Sequence, residues 1–121
     1  MREIKFRGKR KKNGKWIEGY YMFDEEEHLI VRRIRGEIIW RVVLPETVGQ
    51  YTGQPDKNGK EIWEGDIVRK GRYLFTIEFR DARFEMIGVD IVSVATLTND
   101  YKDLEVIGNR WDNPEWLKEK R

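Results

Sequence analysis

The sequence predicts a mainly β protein: an N-terminal antiparallel meander packed with a small C-terminal SH3-like β-barrel, followed by a short C-terminal helix. Three observations predict it. Apolar residues recur with a period of two, as where Ile4 and Phe6 alternate with Lys5 and Arg7. That is the pattern of a strand, whose successive side chains point to opposite faces. Asn-Gly pairs stand at Asn13-Gly14 and Asn58-Gly59, and they tolerate the positive φ angles of the tight turns that join twisted strands. β-Branched and aromatic residues crowd Glu37–Leu44, and such side chains fit a pleated surface.

The elements follow in order. Residues 2–7 form the first strand, and Lys12-Asn13-Gly14-Lys15 turns the chain back through Trp16–Phe23. Asp24–Glu27 makes the next bend, Leu29–Ile34 the next strand, and Arg35-Gly36 another turn into Glu37–Leu44. Short connections of this kind make a meander. Pro45 ends the last strand because it has no N–H for the ladder. Residues 1–45 are thus expected to form one subdomain and 46–121 a second, across a soft boundary. Gly49–Pro55 reads as loop and Asp56–Lys60 as a second tight turn. Strands are expected around Asp66–Lys70, Tyr73–Arg80, Phe84–Met86, Val89–Leu97 and Leu104–Ile107, a series that suits a small curled barrel. Tyr73, Phe75, Ile77 and Phe79 share one face and read as core. Asn113-Pro114-Glu115 reads as a helix start, with Asn as cap, Pro at the first helical position and Glu favoured by the dipole. Trp116 and Leu117 are its docking residues. Lys12–Gly19 and Lys57–Gly65 echo each other with one residue inserted, which two hairpins meeting the same turn requirement explain.

Composition excludes much. The 121 residues include no cysteine and one histidine, His28, so no disulfide framework and no Cys-based zinc or iron–sulfur site can form. No apolar run approaches the ~18–20 residues of a membrane span, and the start Met1-Arg2-Glu3-Ile4-Lys5 lacks a signal peptide's apolar stretch. The expectation is a cytoplasmic protein without membrane contact. Net charge is only +2, but it is unevenly placed. Arg2, Lys5, Arg7, Lys9, Arg10, Lys11, Lys12 and Lys15 are opposed locally by Glu3 alone. With Arg32, Arg33 and Arg35 they make candidate nucleic-acid contacts: Arg7, Lys9, Arg10, Lys11, Lys12, Lys15, Arg32, Arg33 and Arg35. Neutralised phosphates release counterions, the source of non-specific nucleic-acid affinity. A solvated edge hairpin uses lysines equally well. The acidic run Asp24-Glu25-Glu26-Glu27 could pair with the arginines within the fold or between subunits.

Catalytic constellations are missing. Ser93 lies in Val92-Ser93-Val94 with no nucleophile elbow, so a Ser–His pair is not indicated. Asp56, Asn58 and Glu61 offer oxygen ligands, but the Gly and Glu spacing of a calcium loop is absent. Asp66 and Asp90, acids beside apolar residues, read as turn-fixing groups. A carboxylate-metal hydrolase is a distant alternative, and no cofactor is expected. The fifteen aromatics are read first as core and second as subunit interface, with Trp16, Tyr20, Tyr21 and Trp40 as the interface candidates. Base stacking comes third.

Gln50-Tyr51-Thr52-Gly53, Asp56–Ile62 and Glu64-Gly65-Asp66-Ile67-Val68 resemble the central signature of the YopX family of phage and prophage proteins. Arg2–Arg7 at the start, and Glu105–Asn109 with Asn113-Pro114-Glu115 at the end, match the family's ends. One departure is visible at Gly8-Lys9-Arg10, where family members commonly carry a small residue, Trp and Asp. The resemblance implies a small phage- or prophage-encoded protein that self-associates, with no catalytic residues to carry over. The expected function is a non-enzymatic interaction module working as a homo-oligomer, its phage or host protein partner unidentified; nucleic-acid binding through the basic hairpin is the alternative.

Overall fold

The Asn13-Gly14 corner lies between β1 (Phe6–Lys9) and β2 (Trp16–Asp24), which pair antiparallel in the computed structural model. The structure describes residues 3–97 and 100–117; Arg2, counted in the basic run, lies outside them. Two units are distinguished, Met1–Tyr51 and Thr52–Arg121.

In the first unit, β3 (Glu27–Ile34) and β4 (Glu37–Val42) extend the meander, and the sheet runs β4-β3-β2-β1 to the first residues of β5 (Gly49–Pro55). Arg35 and Gly36 turn β3 into β4 with φ of 51° and 81°, the left-handed pair that a primed hairpin turn requires. The meander then curls back on itself. The N–H of Lys11 donates to the Val42 carbonyl at 2.9 Å and that of Leu44 to Lys9 at 2.9 Å. Ile17, Ile30 and Val43 are buried inside the curl, with Phe6, Tyr21 and Val48 packed against them.

In the second unit, β7 (Asp66–Lys70), β8 (Tyr73–Arg80), β9 (Arg83–Gly88), β10 (Val94–Thr96) and β11 (Glu105–Asn109) form an antiparallel sheet ordered β10-β9-β8-β7-β11. β6 (Glu61–Trp63) precedes it. The core gathers Ile62, Val68, Phe75, Ile77, Phe84, Met86, Leu97 and Leu104. Phe75 and Ile77 of the aromatic stripe are buried, while Tyr73 and Phe79 emerge at the strand's two ends. β10 and β11 are the sheet's edges, and among the described residues no pairing closes them into a barrel.

Four local expectations are corrected. Gly49–Pro55 is a strand, because Tyr51 and Thr52 are buried and Gln50 pairs with Phe6 of β1; glycine content concealed a pairing supplied from far along the chain. The first strand begins at Phe6, and residues 3–5, expected within it, lie outside it. Val89–Leu97 is strand only over Val94–Thr96, because Asp90 takes a left-handed φ of 61° that breaks an extended run. The terminal helix is a single 3-10 turn, Pro114–Leu117, with no buried residue. The Asn113 side chain serves the preceding turn, accepting the Asn109 N–H at 3.1 Å.

Candidate interaction surface

Strand register sorts the side chains of β2, β3 and β4 onto two faces. Tyr20, Val31 and Trp40 are neighbours on one face, as are Met22, Leu29 and Val42, with Ile38 opposite Arg33. The other face carries Ile30, which is fully buried. The first face is apolar yet open: Tyr20, Met22, Ile38 and Trp40 are 71%, 51%, 64% and 57% exposed. Single exposed apolar residues are ordinary, but a contiguous set is the mark of an interaction surface.

The basic residues fall into separate groups around this face. Arg10, Lys11 and Lys12 share a cleft with Glu27, Arg41 and the β4 residues Ile38, Trp40 and Val42. The Lys11–Val42 hydrogen bond holds the hairpin tip there, and Arg41 Nη1 donates to the Trp40 carbonyl at 2.8 Å. Four cations and the exposed Trp40 thus line one cleft. Arg32 and Arg33 border a second cleft with Tyr20, Lys5, Glu3 and Glu18, where Lys5 lies 3.6 Å from Glu3 and 3.8 Å from Glu18. Arg7 and Lys9 stack over Trp16, 4.4 and 5.5 Å from its ring centre. Lys15 is exposed, its N–H on Asn13 Oδ1 at 3.0 Å, and Arg35 sits in the β3–β4 turn. The nine candidate contacts are thus distributed over the hairpin tip, the Trp16 ring, the second cleft and the β3–β4 turn.

Of the four interface candidates, Tyr20 and Trp40 stand on the open face. Trp16 lies beneath its two cations. Tyr21 is on the inner face, 5.7 Å from the Phe6 ring, its hydroxyl bonded to His28 Nδ1. Met22, Ile38 and Arg41 escaped the sequence reading. Shared parity with Tyr20 and Trp40 groups Met22 and Ile38 with them, but parity alone does not say which face is covered. The acidic bend at Asp24–Glu27 and the arginines at 32, 33 and 35 lie toward opposite ends of β3. At about 3.3 Å per residue, strand length keeps the two blocks apart within the hairpin.

The residues that carry the family resemblance are engaged with backbone. Asp56 is buried, and its carboxylate accepts the N–H groups of Asn58, Lys60 and Val106 at 2.8, 2.9 and 2.9 Å. Burial opposes its ionisation, but those three bonds and the Lys60 charge hold its pKa below the usual value. Asp66 Oδ2 accepts the Trp63 N–H at 2.8 Å, and Thr52 Oγ1 donates to the Ile62 carbonyl at 2.7 Å. Asn109 Oδ1 accepts the N–H groups of Trp111 and Asp112. Among the described residues, no group of three or more His, Asp or Glu side chains is placed to hold a metal ion.

The family model of the YopX protein matches residues 5–118. In fold the chain is similar to the crystal structure of protein EF1440 from Enterococcus faecalis, at 25% identity and a TM-score of 0.65, over 98% of this chain and 100% of that one. No curated protein matches.

Proposed function

The chain belongs to the YopX family, and from that premise we propose that it is a phage- or prophage-encoded, non-enzymatic interaction module that works as a homo-oligomer in the bacterial cytoplasm. The open apolar face of β2, β3 and β4 carries this reading. Covering a large apolar side chain contributes about 1.5–3 kcal/mol, so Tyr20, Met22, Ile38 and Trp40 together offer a contact enough driving force to offset the cost of association. The strongest candidate acids, Asp56 and Asp66, spend their oxygens on backbone amides, which supports a structural use for them over a catalytic one. Sedimentation velocity over a micromolar concentration series tests the proposal. A concentration-dependent rise in sedimentation coefficient is expected, and a monomer throughout refutes the oligomer. Pull-down from host lysate, with and without nuclease, separates protein partners from nucleic-acid tethering.

A second reading, nucleic-acid binding, is favoured by the cleft that Arg10, Lys11, Lys12 and Arg41 line together with Trp40. Cations on phosphates beside an aromatic on a base are the elements of single-strand binding. That reading requires affinity for single-stranded DNA or RNA that falls steeply with salt and is lost when Lys11 and Lys12 are neutralised. No mobility shift at low salt eliminates it.

A further inference from the structure

β4 ends its sheet: β3 pairs with one side, and on the other, among the described residues, the tip residue Lys11 reaches only Val42. The hydrogen bonds fix which residues face outward. The Val43 N–H donates inward to His28, and the Val42 carbonyl faces outward to Lys11. Alternation along the strand then turns the backbone groups of Ile38 and Trp40 outward, and those of Glu37, Ile39 and Arg41 toward β3. The outward Trp40 carbonyl is covered by the Arg41 guanidinium from the same chain. An apolar edge with outward N–H and C=O groups is a template for another strand.

The strand Glu37-Ile38-Ile39-Trp40-Arg41 is complementary to itself when reversed. We propose that two copies of this chain join through β4, antiparallel about a two-fold axis at Ile39, so that Ile38 faces Trp40 of the second copy and Glu37 faces Arg41 of the second copy. The inference rests on the homo-oligomer reading and names its seam. The register satisfies both constraints at once. Ile38 and Trp40, whose backbone groups point outward, meet as hydrogen-bonded pairs, and Ile39 meets its own copy as a non-bonded pair. Side chains directly opposite share a face, so the Ile38–Trp40 contacts continue the open apolar face from one copy into the next. The Arg41 guanidinium leaves the Trp40 carbonyl, which accepts the Ile38 N–H of the second copy instead, and pairs with the opposing Glu37. An axis at Trp40 would set Ile38 against Val42, whose carbonyl Lys11 already occupies. The axis at Ile39 uses the open stretch and stops where that cap begins.

The test is sedimentation equilibrium on the whole chain as wild type, as Glu37→Arg, as Arg41→Glu, and as an equimolar mixture of the two variants. Each reversal alone places like charges opposite each other twice, and weakens self-association by about tenfold or more. In the mixture the two cationic positions of one variant face the two anionic positions of the other, and association returns. In a chain without cysteine, Ile39→Cys provides an independent check, because this pair meets at disulfide distance on the axis and oxidises to a covalent dimer. Wild-type association that neither reversal changes, with no cross-link at position 39, overturns the seam and leaves the oligomer standing. A wild type that stays monomeric overturns the oligomer reading itself.

Discussion

The Asp56 carboxylate accepts the Val106 N–H at 2.9 Å across fifty residues of sequence, tying the turn before β6 to the start of β11. The same group holds the turn closed through Asn58 and Lys60. Asp56→Ala leaves three amide donors unsatisfied in a largely buried place, and is expected to cost about 3–5 kcal/mol by urea denaturation. Asp56→Asn retains one acceptor oxygen but sets an NH2 against an N–H, and costs about half as much. The pH dependence has a definite sign. The folded pKa lies below the unfolded one, so this stabilisation is fully present above the unfolded Asp value and is lost as pH falls through the folded value. Denaturation midpoints measured from neutral into acid should fall for the wild type, and Asp56→Asn should remove this part of the decline.

Gly65 has a second reason to be glycine besides its φ of 90°. A Cβ there would lie 2.2 Å from Cη2 of the Trp111 ring. Gly65→Ala is therefore expected to destabilise by about 3 kcal/mol, part from the left-handed backbone and part from the collision. Adding Trp111→Leu removes the collision but leaves the backbone cost. A double-mutant cycle by urea denaturation should then show coupling of about 1 kcal/mol or more, whereas strict additivity would mean the ring has simply moved aside.

The β8–β9 hairpin turns through Asp81 and Ala82, both left-handed at φ of 52° and 64°. Alanine resists that region and glycine does not. Ala82→Gly is expected to stabilise by about 1 kcal/mol, even though glycine adds freedom to the unfolded chain. A thermal midpoint raised by a few degrees checks it, and a lowered midpoint contradicts it.

Legibility in the sequence followed the range of the cause. The place of the corner at Asn13-Gly14 was readable because the residues that make it are the residues that need it, but the corner is wider than a tight primed turn: the Arg10 N–H closes on the Lys15 carbonyl, and of the pair Gly14 alone takes a positive φ. The strand status of Gly49–Pro55 was not readable, since Gln50 is paired by Phe6, far upstream in the chain. The reading of Asp66 as a turn-fixing acid matches its bond to the Trp63 N–H. The open face was concealed for a different reason. In Glu37–Val42 both alternating sets contain apolar residues, Ile38 and Trp40 on one side and Ile39 on the other, so the pattern shows a strand without showing which side is covered. That is decided by where Ile17, Ile30 and Val43 meet.

Face assignment has a consequence that stability and association measurements separate. Met22 and Ile30 stand on adjacent strands, the first 51% exposed and the second fully buried. Ile30→Ala empties part of the first unit's small core and is expected to cost about 3 kcal/mol. Met22→Lys removes no core contact, so its cost, measured on dilute protein, should stay within about 0.5 kcal/mol. Its effect should appear in association instead. A cation in the middle of the apolar face weakens any contact made there, because that contact would have to desolvate an unpaired charge. Retention on a hydrophobic column and the concentration dependence of sedimentation should both fall for Met22→Lys. If Met22→Lys destabilises the dilute protein as much as Ile30→Ala does, the face is covered within a single chain and is not an interaction surface.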